Sequence, residues 1–151
     1  MLLSIPTYVN NFIQSLAPTR TDPQNFDTFI FPSRAMISAY QFLETHTPLE
    51  STVLAGFEAA NNILLYSHNY VIGNNQGWPK PEREVMERDR DDFFFNRMDE
   101  ARIRTLLSGY KIDYVYLGFQ ERRSDVLISY PNLFLPIFTN KDVTIYKVQK
   151  N

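Results

Sequence analysis

Three short apolar runs, each closing on a glycine, constrain this chain more than any other feature: "TVLAG" ends at Gly56, "YVIG" at Gly73 and "YVYLG" at Gly118. Near-continuous runs of this length, rich in β-branched and aromatic residues, fit strands covered on both faces, as in a parallel sheet. Helical patterns fill the intervals. Ser33 is placed to cap a helix whose stripe of Met36, Ile37, Tyr40 and Leu43 runs down to Pro48. Residues 58–68 put Ala59, Ile63 and Tyr66 on one side of a second helix. Pro81, with Glu82 and Glu84 in the first turn, opens a charged helix ending in Phe93, Phe94 and Phe95. Asp99 then caps a helix that places Ile103, Leu106, Leu107 and Tyr110 on one face. Leu127 to Tyr130 adds a further helical turn or two before Pro131, and "LFLPIFTNKDVTIYKV" reads as two strands joined at "TNKD". The expected fold is α/β: a three-layer, mostly parallel sheet flanked by helices, with a C-terminal antiparallel hairpin at its edge.

Upstream, "SIPTYVNNFIQSL" spaces Ile5, Val9, Phe12, Ile13 and Leu16 as a short amphipathic helix, and a proline-rich linker carries the chain to Pro32. The division expected is therefore residues 1–32, an amphipathic helix and linker, and residues 33–151, the α/β domain. At 151 residues one domain is expected, able to bury roughly two thirds of its unfolded surface. Twelve Phe and nine Tyr mean that rings supply much of that burial. A net charge of −2 with interleaved acids and bases gives no field to attract nucleic acid. The chain has no cysteine, which removes disulfides, thiolate nucleophiles and cysteine-held metals together. No stretch reaches the ~18 apolar residues needed to span a bilayer, so the chain as given reads as soluble.

In open parallel sheets, ligands settle beyond the carboxyl ends of the strands. The polar loops after the three glycines would share that rim, giving Glu58, Asn74, Asn75, Trp78, Glu121 and Arg122 as the candidate ligand-binding set. Each has an ordinary reading beside the functional one. Polar loops face water in any such sheet. Glu121 and Arg122 bind an anionic or hydroxyl-rich ligand, or form a surface ion pair worth ~0–1 kcal/mol. Trp78, between Gly77 and Pro79, stacks on a sugar or lids the core. Asp89 and Asp91 spell a D-x-D motif, but on a helix residues two apart diverge by about 200°, so the pair reads as a solvated face rather than a metal site. His46 and His68 stand apart with no ligand spacing, no serine sits in a nucleophile elbow, and no phosphate-binding glycine loop opens a helix. Neither catalytic set, metal nor cofactor is expected within this chain.

The order of segments resembles a known tail. "AMISAYQFLETHTPLESTVLA", "NNILLYSHNYVIGNNQGW", "LLSGYKIDYVYLGFQERR" and "YPNLFLPIFTNKDVTIYKV" are similar to the C-terminal regions of polytopic bacterial and archaeal membrane proteins. The families are protein-mannosyltransferase-like and DUF2298-like, of the lipid-linked glycosyltransferase type. The resemblance spans about residues 33 to 148 and is most specific at 112–122 and 143–148. It implies that the N-terminal segment leaves a final membrane helix and that the domain hangs on the extracytoplasmic face. It also implies that catalysis resides in membrane-proximal loops outside this chain. The partners it implies are the rest of the chain's own membrane-embedded part and a glycan or lipid-linked sugar. Two further readings stand beside it: a free-standing sugar- or anion-binding module or enzyme using the loops after Gly73 and Gly118, and an oligomerisation domain.

Overall fold

A computed structural model describes residues 32–73, 79–119, 121 and 124–150. The amphipathic segment and linker expected before Pro32 lie outside those residues. The elements run α1 (Arg34–His46), β1 (Thr52–Leu54), α2 (Phe57–Tyr66), β2 (Tyr70–Ile72), α3 (Lys80–Phe94), α4 (Glu100–Gly109), β3 (Tyr114–Leu117), α5 (Val126–Ser129), β4 (Phe134–Thr139) and β5 (Thr144–Val148). The five strands form one sheet in the order β2-β1-β3-β5-β4. β1 pairs in parallel with β2 and β3, Leu54 standing opposite both Ile72 and Val115. β5 runs antiparallel to β3 and to β4. The α/β class, the mostly parallel sheet and the C-terminal antiparallel hairpin are as the sequence pattern implies. Within that hairpin the later strand lies inside and the earlier one outside. Pro136 explains the placing, because β4 slips register between Pro136 and Phe138, and a residue without an N–H is tolerated in an outer strand.

Alternation along the short strands splits the core in two. Val53, Ala55, Tyr114, Tyr116 and Ile145 face α1 and α2, packing on Met36, Ala39, Tyr40, Leu43, Ala60 and Ile63. Leu54, Ile72, Val115 and Val148 face the other way, onto Met86, Phe93, Ile103, Leu107 and Leu127 of α3, α4 and α5. A residue on either face of β1 or β3 is therefore buried, which is why these strands read as unbroken apolar runs instead of alternating ones.

The helix starts follow the capping signals. Ser33 Oγ accepts the Met36 amide at 3.2 Å, and Asp99 Oδ1 accepts the Arg102 amide at 2.9 Å. Asn140 ties the hairpin turn to α1: its Oδ1 accepts the Asp142 and Val143 amides, while its Nδ2 donates to Ala35 O at 2.8 Å and to Ser38 Oγ at 3.1 Å. The charged helix α3 carries an Arg83–Glu87 pair at 3.9 Å, and its length contains both Asp89 and Asp91. Asp91 is engaged by Arg90 at 2.7 Å, whereas Asp89 accepts the Tyr110 hydroxyl at 3.4 Å, so the two carboxylates serve different neighbours. Among the described residues no helix is long and apolar enough to cross a membrane.

Candidate functional site

Because β1, β2 and β3 are parallel neighbours, Gly56, Gly73 and Gly118 all follow their strands at the same margin of the sheet. A side chain at any of the three would meet a neighbouring atom too closely, the Tyr116 ring at 2.8 Å in the case of Gly118. A Cβ on Gly73 would sit 2.4 Å from Ala55 O and 2.7 Å from the Ala60 Cβ, atoms fixed by the neighbouring strand and helix. A Cβ on Gly56 would fall 1.8 Å from Glu121 Oε1. The Gly56 contact shows where Glu121 goes. It turns in, to 6 % exposure, against the start of α2.

The reason lies in unpaired backbone donors. Gly56 is the N-cap of α2 and has no side chain with which to satisfy the helix's first amides. The Glu121 carboxylate stands in its place, beside the Gly56 amide, where the positive end of the helix favours a negative group. Its Oε2 accepts the Gly118 amide at 2.9 Å. One carboxylate thereby fastens the loop leaving β3 to the helix leaving β1. Oε1 makes no hydrogen bond of good geometry among the described residues, and neither do the buried hydroxyls of Tyr40, Tyr116 and Ser124. The rings of Tyr40 and Tyr116 stack at 5.7 Å beneath this cluster, and Tyr66 stacks on the other side of Tyr40 at 5.7 Å.

Burial sets the protonation of the group. Desolvation pushes the Glu121 carboxyl above its ordinary value; the amides of Gly118, Glu121 itself and Gly56 pull the other way, and the nearby Glu58 charge adds to the rise. Burial likewise pushes the Tyr40 hydroxyl up to about 12 and raises that of Tyr116 further. A glutamate with a raised pKa stabilises the fold fully below its ordinary value of 4.5, and that contribution fades as pH climbs through the raised one. Stability measured from pH 4.5 to pH 8 is therefore expected to fall less steeply in Glu121→Gln than in the parent. Parallel curves for the two proteins would contradict the burial-driven shift.

Glu58 and Glu121 are brought together. They line one pocket with Met36, Ala59, Tyr116, Gly118 and Phe119. Its volume is about 20 Å³, room for roughly one water molecule. A raised carboxyl among phenols has the composition of an acid–base site. At this volume the pocket lined by the described residues is too small for a sugar ring. Asn74, Asn75, Trp78 and Arg122 lie outside the described residues. Of the histidines, His68 pairs with Glu44 at 2.9 Å and His46 stacks on Phe42 at 4.6 Å. Sequence reasoning passed over Arg90, whose Nη1 donates to Gly73 O at 2.7 Å while its Nε holds Asp91 at 2.8 Å, tying α3 to the rim. Its position in a dense run of charges carries no local sign of that reach.

A scan against protein-family models finds no match, and a search of curated proteins finds none either. Among solved structures, the fold is similar to the C-terminal globular domain of an oligosaccharyltransferase from Archaeoglobus fulgidus. The TM-score is 0.58 at 15 % identity, and the match covers 78 % of this chain and 98 % of that domain. At that identity the likeness is one of fold.

Proposed function

We propose that this chain is a non-catalytic domain of a membrane-embedded glycosyltransferase-like protein, held on the extracytoplasmic face, where it positions the acceptor, the lipid-linked donor or a partner. The observation that carries the reading is the fold likeness, which takes in nearly the whole of a domain that is itself the globular C-terminal part of an oligosaccharyltransferase. Two features support it. The two stretches in which the resemblance to membrane glycosyltransferase tails is most specific, 112–122 and 143–148, contain β3 and β5, which pair with each other in the middle of the sheet. The described part of the rim is sealed by Glu121 rather than opened around it. In this reading Glu121 and Arg90 fix the rim from beneath. The loops following Gly73 and Gly118, with Asn74, Asn75, Trp78 and Arg122, together with Glu58, form the surface offered to the rest of the protein or to a glycan.

Immunoblots of source cells with an antibody raised against this chain test the proposal. A product much larger than 17.7 kDa, confined to the membrane fraction and cut by protease added outside the cytoplasmic membrane, is expected. A 17.7 kDa product in the soluble fraction would overturn it.

A further inference from the structure

Two buried polar groups meet at the small pocket beneath the rim. Glu121 Oε1 and the Tyr116 hydroxyl are shut off from solvent, and neither makes a hydrogen bond of good geometry among the described residues. Buried groups of this kind are nearly always paired in a folded protein, because desolvation without a partner is costly. Neither side chain has room to swing toward a different partner. Glu121 Oε2 is committed to the Gly118 amide at 2.9 Å, which fixes the carboxyl and leaves Oε1 aimed at the start of α2. The Tyr116 ring has no exposed surface and is held in its stack on Tyr40.

Both residues line the pocket of about 20 Å³. That is enough for one water molecule and for no larger guest. Met36 and Ala59 close the pocket with buried apolar atoms, while half-buried Glu58 and exposed Phe119 stand on its solvent side. An apolar void of this size stays dry, whereas one into which buried acceptors and donors point holds water. A metal ion is a poorer fit. The lining offers two carboxylates, and one of them already serves the positive end of α2.

We propose that one structural water is bound in this pocket, bridging Glu121 Oε1 and the Tyr116 hydroxyl. Water suits the site because it can reverse its role, donating to a carboxylate and accepting from a carboxylic acid. The bridge therefore persists in either state of Glu121, whose carboxyl burial pushes above its ordinary value. It ties the loop leaving β3 back onto the strand, beside the point where the same carboxyl meets α2. The inference stands on the pocket alone and does not depend on the domain's belonging to a membrane protein.

A crystal structure of the full 151-residue chain, at a resolution that places ordered water, is the first test. A single peak about 2.5–3.2 Å from both Glu121 Oε1 and Tyr116 Oη is expected. Oxygen-17 relaxation dispersion, which counts long-lived internal waters, gives the test in solution. Ala59→Val, whose added methyls fill the pocket, should hold one such water fewer than the parent and melt at a lower temperature. An empty pocket in the parent would overturn the proposal. So would Oε1 bonded directly to a protein donor, or a peak with several oxygen ligands at about 2.4 Å, the signature of a cation. An equal count of long-lived waters in parent and Ala59→Val would overturn it as well.

Discussion

Phe93→Ala is expected to destabilise the fold by about 3–5 kcal/mol, a large share of what a domain of this size possesses. Phe93 has no exposed surface. It sits in the last turn of α3 and meets two rings edge-on, Phe94 at 5.2 Å and Phe134 at 6.0 Å. Phe134 opens β4, so Phe93 is where the long charged helix is secured to the sheet through the outer hairpin strand. Truncation removes the ring's own burial and both ring pairs, and leaves a void that neighbours drawn from several elements cannot collapse into together. The same helix is overwhelmingly polar, with only Met86, Phe93 and Phe94 buried, so little else would hold it down. Denaturant titration of the full chain gives the measurement, accompanied by a fall in melting temperature of about 10 °C. A loss below about 1 kcal/mol would mean that α3 is not anchored by this contact.

The second large effect is a coupling. Gly56→Ala alone should cost about 1–3 kcal/mol, because the new methyl would lie 1.8 Å from Glu121 Oε1 and 2.8 Å from its Cδ. Glu121→Ala alone should cost a similar amount, about 1–3 kcal/mol, by stranding the buried Gly118 amide. In the double variant the obstacle to the methyl is gone. The Gly56 backbone, at φ −65° and ψ 163°, is open to any residue, so the second change should be neutral or should gain about 0.4–1 kcal/mol from a stiffer unfolded chain. The two losses are therefore expected to fall short of adding by about 1–3 kcal/mol. Additivity within about 0.5 kcal/mol would show that the carboxylate is free to leave its cradle.

β1 and β3 were legible because both of their faces are buried, and the run "YVYLG" needs no partner to announce itself; "YVIG" has the same spelling but forms the edge strand β2, where Tyr70 is 58 % exposed, so the expected cover on both faces is absent there. The Ser33 and Asp99 caps were legible too, since each acts on an amide three positions away. The hairpin was readable from the gap between its apolar stretches. What local pattern could not show is direction of reach. Glu121 precedes two arginines and looks solvated, yet it folds inward because a glycine 65 positions earlier leaves space and an unsatisfied helix start beside it. Arg90 is similar: its partner is a carbonyl 17 residues back, visible only once α3 lies across the rim.

The two outermost strands carry a consequence for behaviour in a crowded setting. Any open sheet presents backbone donors and acceptors at its borders, a template on which a second chain can extend it. Here one border is β2, three residues long, and the other is β4, interrupted at Pro136 where a donor is missing and the pairing slips. Among the described residues, neither offers a long uninterrupted ladder. Growth of one sheet onto another through either of these borders is thereby disfavoured, because the ladder on offer is short at one and broken at the other.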